Sequence, residues 1–259
     1  MPARIDSRAD APAATAGSGD ESTRARVLVA ARNEQARIGA TIAAVQRSLP
    51  GAEVWVADDA SRDATAQIAR MMGARVVSAP HPCGKGAAMS NAARAALASA
   101  RGEAAERCAR VPFVLCDGDL GDSARELGAL AQAVVCGQAD LTVGAFAQRS
   151  GGGFGLALAF ARFAIRSRCG LRTRAPISGQ RALAADALEV LLPFASGYGM
   201  EIGMTIDAVR AGLTVREIDL ELAHRVTGRT PRGFAHRAAQ LRDFVRAYHA
   251  RSPRASGIA

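Results

Sequence analysis

Lys85 is the single lysine of this chain; arginine supplies every other one of its 33 basic residues. It stands between two glycines, Gly84 and Gly86. A compact ammonium reaches a phosphate where a planar guanidinium does not fit, and flanking glycines let backbone and ligand come close. Upstream lies Ala57-Asp58-Asp59-Ala60-Ser61 and downstream Cys116-Asp117-Gly118-Asp119, each directly after an apolar, strand-like run. An acid pair, Gly-Lys-Gly and Asp-Gly-Asp in that order describe a site for a nucleotide diphosphate and its metal.

Each motif has a plainer alternative. Asp117-Gly118 forms a good turn without any ligand. Two carboxylates beside a diphosphate, however, repel it by about 4 kcal/mol per charge pair at ~4 Å and an effective dielectric near ~20. Asp117 and Asp119 can share that site only with a cation between them, and hard oxygen ligands favour Mg²⁺ or Mn²⁺. Asp58, Asp59 and Ser61 could cap a helix beginning near Asp63; a carboxylate there could also accept the N3–H of a uracil. Asn33-Glu34 is open between a helix cap and contacts to ribose hydroxyls. His224 is open between a solvated side chain and a neutral ligand completing the cation site begun by Asp119. Glu201 is either a favourable acid in a first helical turn or a polar or basic group at the reacting sugar.

These residues need a frame that brings strand ends together. Val27–Ala30, Val54–Val56, Arg75–Val77, Val111–Cys116, Leu141–Val143 and Thr214–Leu220 read as strands. Helical spacing or composition marks Ile38–Leu49, Ala64–Met72, Ala87–Arg101, Ser123–Cys136, Phe154–Ile165, Met200–Ala211 and Phe234–Tyr248, with Gly73 and Gly212 as C-terminal stops. Such alternation implies an α/β fold, a parallel sheet flanked by helices that gathers ligands at the carboxyl ends of its strands. Pro176-Ile177-Ser178-Gly179-Gln180 reads as irregular. Tails 1–24 and 251–259 look disordered, leaving one domain over 25–250, a nucleotide-binding half (25–145) and an acceptor half with the C-terminal helix (146–250).

Bulk composition narrows the partners. Aromatics are 4% of the chain, too few for a base-stacking surface, and the arginines behind the net charge of +9 are scattered rather than striped; nucleic acid is not expected. The charge suits an anionic ligand or an anionic membrane surface. The five cysteines form no C-x-x-C pair, which points to buried free thiols in a reducing compartment rather than zinc or disulfides. Residues 1–23 lack the apolar core of a signal peptide, and Phe154–Ile165 falls short of the roughly 20 residues that span a bilayer. A cytoplasmic protein is expected; contact with the inner face of a membrane and a homodimer are both compatible with it.

Taken together the motifs resemble the family 2 glycosyltransferases and, in the second half, glucosyl-3-phosphoglycerate synthases. The resemblance runs from about Val27 to Tyr248 through Ala30-Ala31-Arg32-Asn33-Glu34, Asp58-Asp59-Ala60-Ser61, Gly84-Lys85-Gly86, Asp117-Gly118-Asp119, Gly151-Gly152-Gly153, Gly197-Tyr198-Gly199-Met200-Glu201-Ile202-Gly203 and Ala223-His224-Arg225. It implies a glycosyltransferase A fold, Rossmann-like with a mixed, mostly parallel sheet, that uses a nucleotide-diphosphate sugar and Mg²⁺ or Mn²⁺. It places Ala31, Asn33, Glu34, Asp58, Asp59, Gly84 and Lys85 on the nucleotide, Asp119 and His224 on the metal, and Asp117 on both. Gly152, Gly153, Tyr198 and Arg225 fall to the acceptor, and Glu201 with Lys85 to catalysis. Where the synthases follow the glycine run with arginine and threonine, this chain has Phe154 and Leu156, an apolar lining that suits a lipid-linked or larger acceptor over a small phosphorylated one. Two other functions compete: sugar-nucleotide synthesis by a nucleotidyltransferase, against which stands the glycine-free loop Ala31–Glu34, and a non-catalytic nucleotide-sugar binder.

Overall fold

The computed structural model of the chain describes residues 25–101, 111–146, 155–220 and 231–252. Apolar, β-branched runs form β1 (Arg26–Ala31), β2 (Glu53–Asp58), β3 (Arg75–Ser78), β4 (Phe113–Asp117) and β5 (Leu141–Phe146). Between them lie α1 (Ile38–Ser48), α2 (Thr65–Met71), α3 (Lys85–Arg101) and α4 (Leu127–Val135). α5 (Gly155–Cys169), β6 (Arg181–Leu183), α6 (Ala185–Leu191), α7 (Met200–Arg210), β7 (Val215–Leu220) and α8 (Pro231–Ala250) follow.

The strands make one seven-stranded sheet in the order β3-β2-β1-β4-β6-β5-β7. β1, β2, β3 and β4 pair in parallel, as do β5 and β7. β6 runs antiparallel to both its neighbours, β4 and β5. The sheet is therefore mixed and mostly parallel, as expected. β1 leads outward to β2 and β3, and the chain then returns through α3 to β4 on the other side of β1. Right-handed crossovers put α1 and α2 on one face and α3 on the other. The strand order reverses between β1 and β4, which opens a crevice there.

The interior matches this layout. Val27, Leu28 and Val29 of β1 and Val114 and Leu115 of β4 are wholly buried, because a strand covered on both faces reads as a continuous apolar run. A second apolar cluster joins α5, α7 and α8 through Ala161, Ile165, Ile202, Ile206 and Phe244.

Three expectations are corrected. The irregular stretch after Pro176 leads into β6 and α6, which are too short for periodicity to reveal. The helix expected from Ser123 is a 3₁₀ turn over Gly121–Glu126 and becomes α-helical only at Leu127. The thiols are free but not uniformly buried: Cys116 is, whereas Cys83 lies exposed in a loop and Cys136 exposed at a helix end. The expected tails fall almost wholly outside the described residues, as does Cys108.

The two halves meet where α3 crosses the segment after α6. Ser90 Oγ donates to the Gly86 carbonyl at 2.7 Å and accepts the Phe194 amide at 2.9 Å. A Cβ on Gly86 would lie 1.8 Å from the Ala195 carbonyl oxygen, a backbone atom that cannot swing aside. We expect Gly86→Ala to cost about 3 kcal/mol in chemical denaturation, the upper end of ordinary overpacking. Gly155→Ala, where an added Cβ meets nothing within 4 Å, is the control and should change stability by less than ~1 kcal/mol.

Candidate active site

β1, β2 and β4 deliver their chemistry at one edge. Strand pairing sets Asp58 opposite Ala31 and Asp117 opposite Ala30, so the two acids flank the end of β1 at the crevice. The Gly118 amide donates to the Ala30 carbonyl at 2.8 Å, and a Cβ on Gly118 would sit 3.0 Å from that oxygen. Glycine is what lets the Asp-Gly-Asp turn lie against β1. Buried Thr41 of α1 fixes the turn from behind, donating to the Gly118 carbonyl at 2.9 Å and accepting the Gly121 amide at 2.8 Å.

The Lys85 ammonium lies between two carboxylates, donating to Asp117 Oδ1 at 2.6 Å and Glu201 Oε1 at 2.7 Å. Its side chain is 19% exposed and that of Glu201 only 6%. Burial alone would lower the pKa of Lys85; Asp117 and Glu201 outweigh it and hold the ammonium above the ordinary lysine value. Lys85 is a fixed cation at every physiological pH, suited to charge stabilisation rather than proton transfer.

The loops around it are stitched together. The Asn33 amide donates to Ser61 Oγ at 3.0 Å, the Glu34 amide to Thr65 Oγ1 at 2.8 Å, and Asn33 Oδ1 accepts the Arg62 amide at 2.9 Å. Asn33 takes a left-handed backbone, φ 56°, which asparagine tolerates better than most residues. No side chain caps α1; the Glu34 carbonyl accepts the Arg37 and Ile38 amides at its start, both at 2.9 Å, while the Asn33 side chain serves as a brace to Arg62. Asp58 Oδ1 accepts the Ser61 amide at 3.1 Å. Asp59 Oδ1 accepts the amides of Cys83 at 2.6 Å and Gly84 at 3.1 Å, anchoring the loop that presents Lys85. Gly84 has φ 87°, a conformation that glycine supplies. The Ala31 carbonyl accepts the Asp59 amide at 3.0 Å.

A hard divalent cation suits the remaining acids. Asp119 has its side chain 49% exposed, with Arg37 Nη1 at 3.7 Å. Burial raises the pKa of the Glu34 carboxyl, and the charges of Asp119, Asp63 and Asp117 raise it further against the opposing pull of Arg37. Negative charge is thus concentrated at one spot, which a cation would relieve. Among the described residues no group of three His, Cys, Asp or Glu side chains closes a metal site by itself. Asp117 and Asp119 supply two oxygen-bearing side chains; His224 lies outside the described residues, as do Gly152, Gly153 and Arg225.

The family model for glycosyl transferase family 2 matches residues 26–190, which include the ends of β1, β2 and β4. The chain belongs to that family. Solved structures of glucosyl-3-phosphoglycerate synthase from Mycobacterium tuberculosis agree. One, in complex with Mn²⁺, uridine diphosphate and glucosyl-3-phosphoglycerate, is 27% identical with a TM-score of 0.68, covering 88% of this chain and 80% of that one. Another, with Mn²⁺, UDP-glucose and phosphoglyceric acid, is 26% identical with a TM-score of 0.68 over 88% and 79% of the two chains. No curated protein sequence matches. The protein is a glycosyltransferase with the glycosyltransferase A fold of these neighbours.

The second half of the transferase contributes residues that the motifs did not single out. Gln180 Nε2 donates to Asp117 Oδ2 at 3.0 Å while its Oε1 accepts Ser178 Oγ at 3.1 Å, so Asp117 is oriented from both sides. A Cβ on Gly179 would lie 2.6 Å from Asp117 Oδ2 and 2.8 Å from Lys85 Nζ; the ion pair needs that residue to be glycine. Arg181 is fully buried, donating through Nη1 to Thr205 Oγ1 at 3.0 Å, which in turn donates to the Glu201 carbonyl at 3.0 Å. Burial pushes Arg181 down to about 10 against the pull of Glu201 and Glu217, which leaves it charged behind the helix that carries Glu201. A glycine inside Ser178-Gly179-Gln180-Arg181 was the available signal, but nothing local says which residue it must make room for. Gly197, Tyr198 and Gly199 form a 3₁₀ turn held by Asp243 of α8, whose Oδ2 accepts the Tyr198 amide at 3.2 Å.

The elevated Glu34 pKa gives a signed pH effect. Folding raises this pKa, so the folded state binds more protons just above the ordinary carboxylate range, and stability falls as pH rises through that window. Glu34→Gln should therefore melt slightly higher than the parent enzyme at neutral pH. The difference should vanish below the unfolded carboxylate pKa, near pH ~4. Thermal melts across pH 4–8 check this.

Proposed function

We propose that the protein transfers a hexosyl group from a nucleoside-diphosphate sugar of the UDP-glucose class to an acceptor hydroxyl, with Mg²⁺ or Mn²⁺ bound by Asp117 and Asp119 and completed by His224. The observation that carries this is the half-buried Lys85 ammonium between Asp117 and Glu201 at the strand-end crevice. The UDP-glucose and Mn²⁺ of the neighbouring synthase structures support the donor class and the metal. A bound cation would supply positive charge to the departing diphosphate.

The residues of the chain do the remaining work. Asn33, Glu34, Asp58, Asp59 and the Ala31 backbone shape the nucleotide end of the crevice, and Gly84 brings the backbone close to the phosphates. Lys85 faces the diphosphate as a permanent cation held by Asp117 and Glu201, where a fixed charge stabilises a developing anion without reorganisation. Glu201 is buried and already engaged by Lys85, an arrangement that favours holding a sugar hydroxyl over taking the acceptor's proton. Tyr198, on the turn just before Glu201, lines the acceptor side together with Gly152, Gly153 and Arg225. The acceptor is a lipid-linked or larger molecule in place of the phosphoglyceric acid and glycerol 3-phosphate bound by the neighbours, because Phe154 and Leu156 offer no side-chain hydrogen bond to a phosphate.

The direct test is donor hydrolysis and transfer with UDP-glucose, with and without Mn²⁺. We expect turnover to require the cation and Asp119→Ala to lower kcat by about 10²-fold or more; undiminished, metal-dependent turnover by that variant on every nucleotide sugar would end the proposal. For Glu201→Gln we expect at least a few per cent of kcat to remain, since a lost general base costs about 10²–10⁴-fold. A loss in that larger range, with the acidic limb of the pH–rate profile abolished, would make Glu201 the base instead.

A further inference from the structure

Sequence pattern alone allows α5 to be an ordinary core helix, yet the structure leaves one of its faces uncovered. Leu156 is 85% and Phe163 56% exposed. They are two helical turns apart on one side, with half-buried Phe160 between them. The opposite side, Ala157, Ala161, Ala164 and Ile165, is buried in the cluster with α7 and α8. The strip is also continuous with α8: the rings of Phe160 and Phe163 each lie 5.9 Å from that of Tyr248. Packing of this kind holds the side chains in place rather than letting them fold back.

The charge carried by α5 has one sign. α5 contains no acidic residue between Gly155 and Cys169 and carries Arg162, Arg166 and Arg168. Arg166 is exposed, and the Arg168 guanidinium stacks 3.6 Å from the centre of the Tyr248 ring. On α8, Arg242 and Arg246 are exposed but pair with Asp243, away from the Tyr248 side, so the basic rim of the strip is that of α5. The whole chain bears +9. Among the described residues no helix is long and apolar enough to cross a bilayer.

We propose that the α5–α8 face docks on an anionic phospholipid surface, with Leu156 and Phe163 entering the headgroup–acyl boundary and the arginines contacting lipid phosphates. Apolar residues on one helical face with a basic rim are what interfacial binding requires, and each arginine near an anionic leaflet adds to the attraction. A second copy of the chain is the poorer occupant, because a two-fold contact sets the same arginines against each other with no carboxylate on α5 to answer them. Docking in this orientation turns the acceptor half toward the bilayer. Leu156 is shared with the proposed acceptor side, so docking is tested by vesicle binding and not by activity.

The test is co-sedimentation of the full-length protein with vesicles of phosphatidylcholine alone and of phosphatidylcholine mixed with phosphatidylglycerol, at low and high salt. Binding should be confined to the mixed vesicles and weaken at high salt. It should fall at least tenfold in Leu156→Ser/Phe163→Ser and severalfold in Arg166→Gln. Circular dichroism and melting midpoint, which substitutions at exposed positions leave near the parent values, separate lost docking from lost folding. Absence of binding at low salt, equal binding to both vesicle types, or binding indifferent to the double variant each overturns the proposal. So does light scattering that finds a dimer dissolved by the double variant without any vesicle binding, which would assign the strip to self-association.

Discussion

The Lys85 ammonium is the point through which the two halves of the molecule are tied. It starts α3, between β3 and β4, and meets one carboxylate from β4 and one from α7. A half-buried cation against the buried Glu201 is stabilised by both partners lying within hydrogen-bond distance; removing Lys85 leaves the Glu201 carboxylate buried without compensation. The surrounding structure answers that demand. Gly179 has no side chain because the pair occupies its space, Gln180 turns Asp117 toward the lysine, and Asp59 grips the loop that delivers it.

The same constraint explains the catalytic style. A lysine held as a permanent cation and a glutamate already engaged by it suit the proposed role of placing charge rather than moving protons. In the proposed reaction an incoming diphosphate would compete with Asp117 and Glu201 for Lys85, and a cation would relieve the like charges of Glu34, Asp117 and Asp119. Arg181, buried behind α7, adds a permanent positive field beneath Glu201. On that proposal, substrate binding would exchange one set of compensated charges for another.

Much of the first half was legible in its residues. β1 through β4 and α1 through α3 stand within two residues of where periodicity and turn residues put them, β5 runs three residues further, and Asp58 and Asp117 do lie at strand ends. The second half was harder. β6 is three residues long and inserts antiparallel between β4 and β5, a placement set by pairing partners distant in the chain. Gln180 and Arg181 carry no motif of their own; one gains its role from Asp117, 63 positions away, and the other from Thr205, 24 away.

By itself the sequence determined which elements form, where the acids and the one lysine sit along them, and the kind of ligand such residues attract. Those properties follow from local preferences: β-branched runs extend, glycines stop helices, and a carboxylate is a carboxylate wherever it is carried. Only the tertiary structure decided that Lys85 would meet Glu201, 116 residues away, and that α5 would turn two large apolar side chains outward. Both outcomes depend on which surfaces pack together, and packing partners at long range leave no periodic trace in the chain that contains them.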